Sequence, residues 1–340
     1  MIRHCIIPPY MLRSILQKGD ARQQEQAWAT LTGTEQFRGQ RRVLNAIVPF
    51  TTIAPGMKRR TIYNARHGYD LPGRLVRSEG APKSKDPAVN EAYDGSGATY
   101  DLYAKVYGRN SIDDRGLRLD STVHYGRDFD NAFWNGQQMV FGDGDGRIFR
   151  RFTIAIDVIG HELTHGVIQS AAGLNYFGQP GALNESFSDV FGSLVKQYKR
   201  KQTAAKADWL VGDGLFMPSI RAKGIRSMKE PGTAYDDPVL GKDPQPAHMR
   251  DYVETTDDNG GVHINSGIPN RAFYELAVRL EGYAWEKAGT IWYRALTQKL
   301  RANSNFRDAM NLTVQVAAEL FGKSSKEQKA TREAWSEVGI

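Results

Sequence analysis

The rhythm of apolar positions changes twice along the chain. The opening run Ile6-Ile7-Pro8-Pro9-Tyr10-Met11-Leu12 is apolar but holds two adjacent prolines, so it predicts an extended segment. A short helix is expected over about residues 21–29, followed by polar, basic sequence to Arg42. From Lys58 to Gly146 the pattern shortens into alternating runs with turn signals at Asn64–Gly68 and Pro72–Gly73, which predicts paired strands. Asp86–Tyr107 interrupts them as a helix, with Val89, Tyr93, Tyr100, Tyr103 and Val106 at helical spacing. Beyond Thr153 the period is helical. One helix is predicted through AIDVIGHELTHGVIQSAA to near Gly173, and a second opens at Asn184. Others are expected near 269–281, 290–300, 306–321 and 327–338.

This order predicts an α+β architecture. Residues 1–50 form a separate segment, 51–195 a β-rich N-terminal lobe that includes the first long helix, and 196–340 a mainly helical C-terminal lobe. A chain of 340 residues exceeds what one core usually holds, which agrees with two lobes.

Composition changes the picture only at the N-terminus. With 40% hydrophobic and 24% charged residues the chain reads as globular, and no run approaches a membrane span, so no membrane partner is expected. The net charge is +7, yet residues 1–50 alone carry seven Lys/Arg against three Asp/Glu. Arg38, Arg41 and Arg42 cluster there without a recognisable nucleic-acid module around them, so no nucleic-acid partner is expected. The single cysteine, Cys5, excludes an intramolecular disulfide and suits a reducing compartment. Pro8 and Pro9 break the N-terminal apolar run and no small-residue cleavage site follows. The expectation is therefore a cytoplasmic protein, or one exported by a route other than an ordinary signal peptide. A monomer is expected.

The candidate chemistry lies in His161-Glu162-Leu163-Thr164-His165. Four residues make about one helical turn, so the two histidines project from one face and can hold one Zn²⁺. Glu162 sits beside such an ion and can take a proton from a water bound to it. A hydrolytic zinc site needs a third protein ligand and an open fourth position. Glu185, in Asn184-Glu185-Ser186-Phe187-Ser188-Asp189, lies twenty residues beyond His165, far enough for the chain to reverse and lay a second helix against the first. Asp189, one turn on, can accept the remaining N–H of a ligand histidine. A metzincin-type site would need glycine and histidine where Ile168 and Ala171 stand.

DVIGHELTHGVIQ followed by NESFSDVFG resembles the thermolysin (peptidase M4) family. The resemblance extends to Asn131-Ala132-Phe133-Trp134-Asn135-Gly136, similar to the family's substrate-pairing edge strand. It extends also to Asp258-Asn259-Gly260-Gly261-Val262-His263, similar to its second catalytic segment, and it spans about residues 58–340. It implies a two-lobed thermolysin-like zincin with the cleft between the lobes, acting as a metalloendopeptidase on polypeptides. By position it implies zinc on His161, His165 and Glu185, and Glu162 as general base. His263, held by Asp258, and Tyr176 would stabilise the oxyanion, Asn131 and Ala132 would pair with substrate backbone, and Arg226 would bind the carbonyl after the cut. Phe149, Phe152, Val158, Val211, Leu215 and Ile225 fall where the family lines its main pocket, so cleavage before bulky apolar residues is expected.

Two regions depart from the family. Asp157, Asp208 and Asp213 match carboxylates of its double calcium site, but Lys196 replaces a bridging glutamate and Leu210 another acid, while Lys223 replaces an aspartate of a second site. At most one Ca²⁺, or a Lys196 salt-bridge network in its place, is expected. The N-terminal piece is similar to the short inhibitory propeptides of the protealysin-like branch, through Pro8-Pro9-Tyr10-Met11-Leu12. Its rigid strand would fill the cleft, with Cys5 or His4 within reach of the zinc. Self-processing is expected between about Asn45 and Lys58, where Ile47-Val48 and Phe50 suit the enzyme's own preference. Two rival readings are a catalytically silent peptide-binding relative and a structural metal protein. The intact base and the three-ligand set oppose them.

Overall fold

The computed structural model describes residues 5–44 and 56–340, side chains over 34–44 excepted. His4, Ile47, Val48, Phe50 and the side chains of Arg38, Arg41 and Arg42 lie outside the described residues.

The N-terminal segment differs from expectation. The chain bends at Ile6 and Ile7, and helix α1 begins at Pro9 (Pro9–Lys18) with the extended Pro8 as its N-cap. Proline bars a helix interior, but at the first helical position its missing N–H is not needed and its fixed φ suits the turn. Helix α2 (Ala21–Leu44) runs well past Ala29. It opens in a reciprocal cap, the Gln23 N–H donating to Asp20 and the Asp20 N–H to Gln23.

The N-terminal lobe carries a five-stranded sheet in the order β2-β1-β3-β5-β4. Its strands are β1 (Arg60–Asn64), β2 (Arg74–Ser78), β3 (Leu119–Val123), β4 (Ala132–Trp134) and β5 (Met139–Phe141). Strands β1, β3 and β5 run parallel, and β2 and β4 pair antiparallel at the two edges. Helix α3 (Pro87–Tyr107) crosses between β2 and β3, capped by the Asp86 side chain.

Helix α4 (Ile156–Ser170) is buried from Asp157 through Ile168, which places it at the centre of the molecule. Helix α5 (Gly178–Arg200) packs against it, starting six residues before the expected Asn184. Pro180 in its first turn again needs no donor there. The two helices approach closely because both contribute glycine at the crossing. A Cβ on Gly192 would meet the Asp157 carbonyl oxygen at 2.4 Å, and one on Gly160 would meet Gly192 Cα at 3.0 Å.

The remaining helices build the second lobe: α6 (Asp258–Asn265), α7 (Gly267–Leu280), α8 (Lys287–Arg294), α9 (Phe306–Phe321) and α10 (Lys326–Ser336). A short ladder, β6 (Leu210–Val211) with β7 (Arg226–Ser227), sets Val211 opposite Arg226. One apolar core runs from sheet to helical lobe, and Ile6, Ile7, Met11, Leu12 and Ile15 of the N-terminal segment belong to it. No described helix is long and apolar enough to cross a membrane.

Candidate metal centre and cleft

His161, His165 and Glu185 come together as the four-residue spacing and the chain reversal require. One ligand atom from each lies within 4.8 Å of the other two. The imidazole Nε2 atoms are 3.0 Å apart, and they stand 3.4 and 3.6 Å from the Glu185 carboxylate. His161 Nδ1 faces Asp189 Oδ1 at 2.8 Å, and His165 Nδ1 faces Asn184 Oδ1 at 2.9 Å with the Ser188 hydroxyl at 3.0 Å. These acceptors assign the protons to Nδ1. Both Nε2 lone pairs are then turned on one point beside a carboxylate. Glu185 Oε2 is buried with no hydrogen-bond partner among the described residues. Two lone pairs and an anion converging in a buried site repel one another unless a cation joins them, and nitrogen, nitrogen and oxygen donors suit Zn²⁺.

The surrounding shell is tightly partnered. Burial pushes the Asp189 carboxyl up, but the Arg226 guanidinium more than offsets this and holds it at about 2. Arg226 donates Nε and Nη2 to Asp189, both at 2.8 Å, and Asn270 Nδ2 donates to it at 2.8 Å. Glu162, also fully buried, accepts from the Trp134 backbone N–H at 2.9 Å. His263 contacts Asp258 twice, through its own N–H at 2.8 Å and through Nδ1 at 2.6 Å. Left-handed φ values at Asn259, Gly260 and Gly261 turn the chain between them. Burial pulls the His263 imidazole down, and Asp258 and Glu185 together raise it above its ordinary value. The Tyr176 hydroxyl donates to Glu185 and lies 3.2 Å from His263 Nε2.

Residues 5–7 lie across these groups as an irregular segment. The Ile6 N–H donates to the Ala132 carbonyl at 3.2 Å, and the Ile7 N–H to Asn131 Oδ1 at 3.1 Å. Arg226 Nη1 donates to the Ile6 carbonyl at 3.3 Å, and His263 Nε2 is 3.3 Å from the Cys5 carbonyl. The sequence singled out all four of these groups. It is the Cys5 carbonyl that meets His263, whereas the buried Cys5 residue packs with Tyr125, Phe129, Phe133 and Val140. Among the described residues the metal-ligand group does not include Cys5.

Phe149, Phe152, Val158, Val211, Leu215 and Ile225 are fully buried in the core cluster that also holds Ile6. Lys196 Nζ is bound by Asp157 at 2.9 Å, by Asp208 at 2.7 Å and by the Leu210 carbonyl at 2.7 Å. Asp213 is set apart, about 43% exposed and 4.0 Å from Arg200. The sequence reading assigned no role to Asn184, Ser188, Asn270 or the Trp134 N–H. Asn184 and Ser188 flank Glu185 one turn apart, a spacing that is legible once Glu185 is taken as a ligand.

Comparison with known proteins agrees with this geometry. Models of the thermolysin metallopeptidase catalytic domain and of its α-helical domain match residues 54–169 and 172–340. An extracellular metalloprotease of Pectobacterium carotovorum subsp. carotovorum is 52% identical over 336 residues, covering 98% of this chain and 96% of that protein. Thermolysin of Alicyclobacillus acidocaldarius subsp. acidocaldarius is 42% identical over 288 residues, 82% of this chain and 50% of that protein. The solved precursor of protealysin, a metalloproteinase from Serratia proteamaculans, superposes with a TM-score of 0.91 at 54% identity, covering 99% of both chains. The chain therefore belongs to the thermolysin metallopeptidase family, as a metalloendopeptidase of its protealysin-like branch.

Proposed function

We propose that the chain is a self-processing precursor of a zinc endopeptidase that cuts on the amino side of bulky apolar residues. His161, His165 and Glu185 hold the Zn²⁺. When bound, the ion supplies Lewis acidity toward the carbonyl and lowers the pKa of water. Glu162 takes the proton of the attacking water and carries it to the leaving amine. Its carboxylate is oriented for this by the Trp134 N–H. His263 and Tyr176 donate to the oxyanion as it develops, with Asp258 fixing the imidazole. Asn131, Ala132 and Arg226 align the backbone on the far side of the cut.

The seating of residues 5–7 carries this reading. Their amides and carbonyls satisfy Ala132, Asn131, Arg226 and His263 as a substrate strand would, which sets Ile6 just after the bond to be cut. Ile6 lies in the core cluster with Phe149, Val211 and Leu215, in keeping with a taste for apolar residues there. The same contacts account for latency, because the cleft is filled by the chain's own segment, and Pro8, Pro9 and Tyr10 continue it into helix α1. Lys196 in the acidic site favours low calcium dependence. We also propose action outside the cytoplasm, which the name of the Pectobacterium relative suggests. The activity recovered from spent medium against that in washed cells checks this.

The test is a comparison of the parent with Glu162→Ala, each with and without a zinc chelator. The parent digests casein and its 38.0 kDa band shortens. The alanine variant and the chelated parent do neither. A pure Glu162→Ala protein that still processes itself would falsify the assigned base.

A further inference from the structure

A second cluster of metal-ligand side chains lies at one end of the sheet, away from the helices that carry the zinc ligands. Strands β1, β3 and β5 are parallel neighbours, so their carboxyl ends meet on one side of the N-terminal lobe. In open sheets with helical crossovers that is where ligands collect. His67 follows β1, His124 directly follows β3, and Asp143 follows β5.

One ligand atom from each of the three lies within 4.8 Å of the other two, the same limit that the catalytic triad meets. His124 Nδ1 is 2.9 Å from Asp143 Oδ2, and His67 Nδ1 is 3.5 Å from the same oxygen. Donors around a tetrahedral Zn²⁺ at about 2.0–2.1 Å stand roughly 3.3 Å apart, so each histidine needs a shift of only a few tenths of an ångström relative to Asp143, and the two histidines offer ligand atoms within 4.8 Å of each other. The corresponding separations between ligand atoms at the catalytic centre are 3.0, 3.4 and 3.6 Å.

The far nitrogen of His124 has its own carboxylate. Nε2 is 2.7 Å from Asp86 Oδ2, as His161 Nδ1 is 2.8 Å from Asp189. A carboxylate on the distal nitrogen orients a ligand histidine and raises its basicity. Arg151, whose charge reaches Asp143 and Asp86, is occupied by a two-point contact with Glu91 at 2.7 and 2.5 Å. Asp143 and Asp86 flank the two ring nitrogens of His124, and a divalent cation taking the place of the proton on Nδ1 would balance their charge. Both histidines hold left-handed backbone, φ 62° and 55°, and the His67 N–H donates to the His124 carbonyl at 2.9 Å, so the two loops are already tied. The His67 side chain is 53% exposed, which leaves an entry path and room for water as a fourth ligand.

We propose that His67, His124 and Asp143 form a second divalent-metal site, suited to Zn²⁺, that clamps the carboxyl ends of β1, β3 and β5. The site is independent of the catalytic centre. Its two imidazoles and single carboxylate oxygen favour borderline metals over Ca²⁺ or Mg²⁺, which prefer oxygen ligands throughout. The loop after His124 leads into β4, which carries Ala132, so the clamp steadies the approach to the substrate-pairing edge.

The test uses the full chain carrying Glu162→Ala, stripped of metal, reloaded with Zn²⁺, desalted and assayed for zinc by mass spectrometry. Two ions per chain are expected. Adding His67→Asn should leave one, and Asp143→Asn should weaken the second ion at least tenfold. Asparagine tolerates positive φ, so His67→Asn keeps the loop conformation. Excess Zn²⁺ should raise the melting temperature of the zinc-loaded parent and leave that of His67→Asn unchanged. A single ion in the parent would reduce the cluster to an ion-pair network around His124 and overturn the proposal. A second ion retained in His67→Asn would place it elsewhere, with the same consequence.

Discussion

Asp189 and Arg226 form a fully buried two-point ion pair, both contacts 2.8 Å, and the same carboxylate accepts His161 Nδ1. One side chain thus joins a metal ligand to the arginine that grips the segment in the cleft. Two adjacent hydrogen bonds fix the guanidinium plane, so Nη1 is left facing the Ile6 carbonyl. His161 and Arg226 therefore cannot shift independently of each other.

Asp189→Asn keeps the shape of the side chain and removes its charge. An amide accepts more weakly from His161 and sets an NH₂ against either the imidazole or the guanidinium. Zinc affinity should fall by about 10- to 100-fold, as for other partners of ligand histidines. Chelator competition reads this directly. KM should rise as well, because Arg226 loses its anchor. Unchanged zinc retention would remove Asp189 from the metal's support.

Ile6→Asp tests the seating of the N-terminal segment. Ile6 is fully buried. The substitution forfeits about 1.5–3 kcal/mol of apolar burial and adds the desolvation of a carboxylate. The catalytic lobes are untouched, so the variant should fold and lose latency. Freshly purified precursor should cleave a peptide substrate at least tenfold faster than the parent before any shortening of the band. Equal initial rates would mean that the segment in the cleft does not cause latency.

The sequence could disclose the metal centre because its geometry is local. Four residues fix the common face of His161 and His165, and Glu185 needs only a helix laid back on the first. The contact that sets the distance between those helices, Gly160 on Gly192, gives no chemical signal and emerges only from packing. Asn270 and the Trp134 N–H reach the centre from remote segments, where no spacing rule applies. The misreading at Pro9 has a different origin. Two prolines bar a helix interior but favour its first turn, and the apolar residues after them, Met11, Leu12 and Ile15, already had helical spacing. Helix α2 ran past its expected end because its later residues lack an apolar stripe, although most are good helix formers.

Glu79 offers a pH-dependent prediction outside the cleft. It receives Arg60 through Nε at 2.7 Å and Nη2 at 2.5 Å, and the Tyr93 hydroxyl at 3.1 Å. Arg60 and Arg77 each lie 3.6 Å from the Tyr93 ring centre. Burial pushes the Glu79 carboxyl up, but the Arg60 hydrogen bonds and charge outweigh it, so its folded pKa lies below 4.5. A lowered carboxylate pKa stabilises the fold above the unfolded value, and that stability is lost as pH falls through the folded value. With the side chain 35% exposed, solvent screening limits the contribution to about 1 kcal/mol. In a Glu162→Ala background, Glu79→Gln should cost about that much in urea unfolding at pH 7 and less at pH 3. A cost that grows on acidification would contradict the sign.

Lys196 allows the acidic site on α5 to be reversed. Its ammonium is buried and held by Asp157, Asp208 and the Leu210 carbonyl, where burial lowers its pKa and the two carboxylates more than restore it. Truncation to alanine would leave Asp157 buried and uncompensated, at a cost of about 3–5 kcal/mol. Lys196→Glu goes further, gathering three carboxylates and a carbonyl in one pocket. Without a cation their repulsion should lower the melting temperature by more than the alanine change does. Oxygen donors of that number and charge suit Ca²⁺. Millimolar Ca²⁺ should therefore raise the melting temperature of Lys196→Glu and leave the parent and Lys196→Ala nearly unmoved. The three scans with and without Ca²⁺ separate the effects. A parent that gains as much from Ca²⁺ as the glutamate variant would mean that the ammonium does not stand in for the ion.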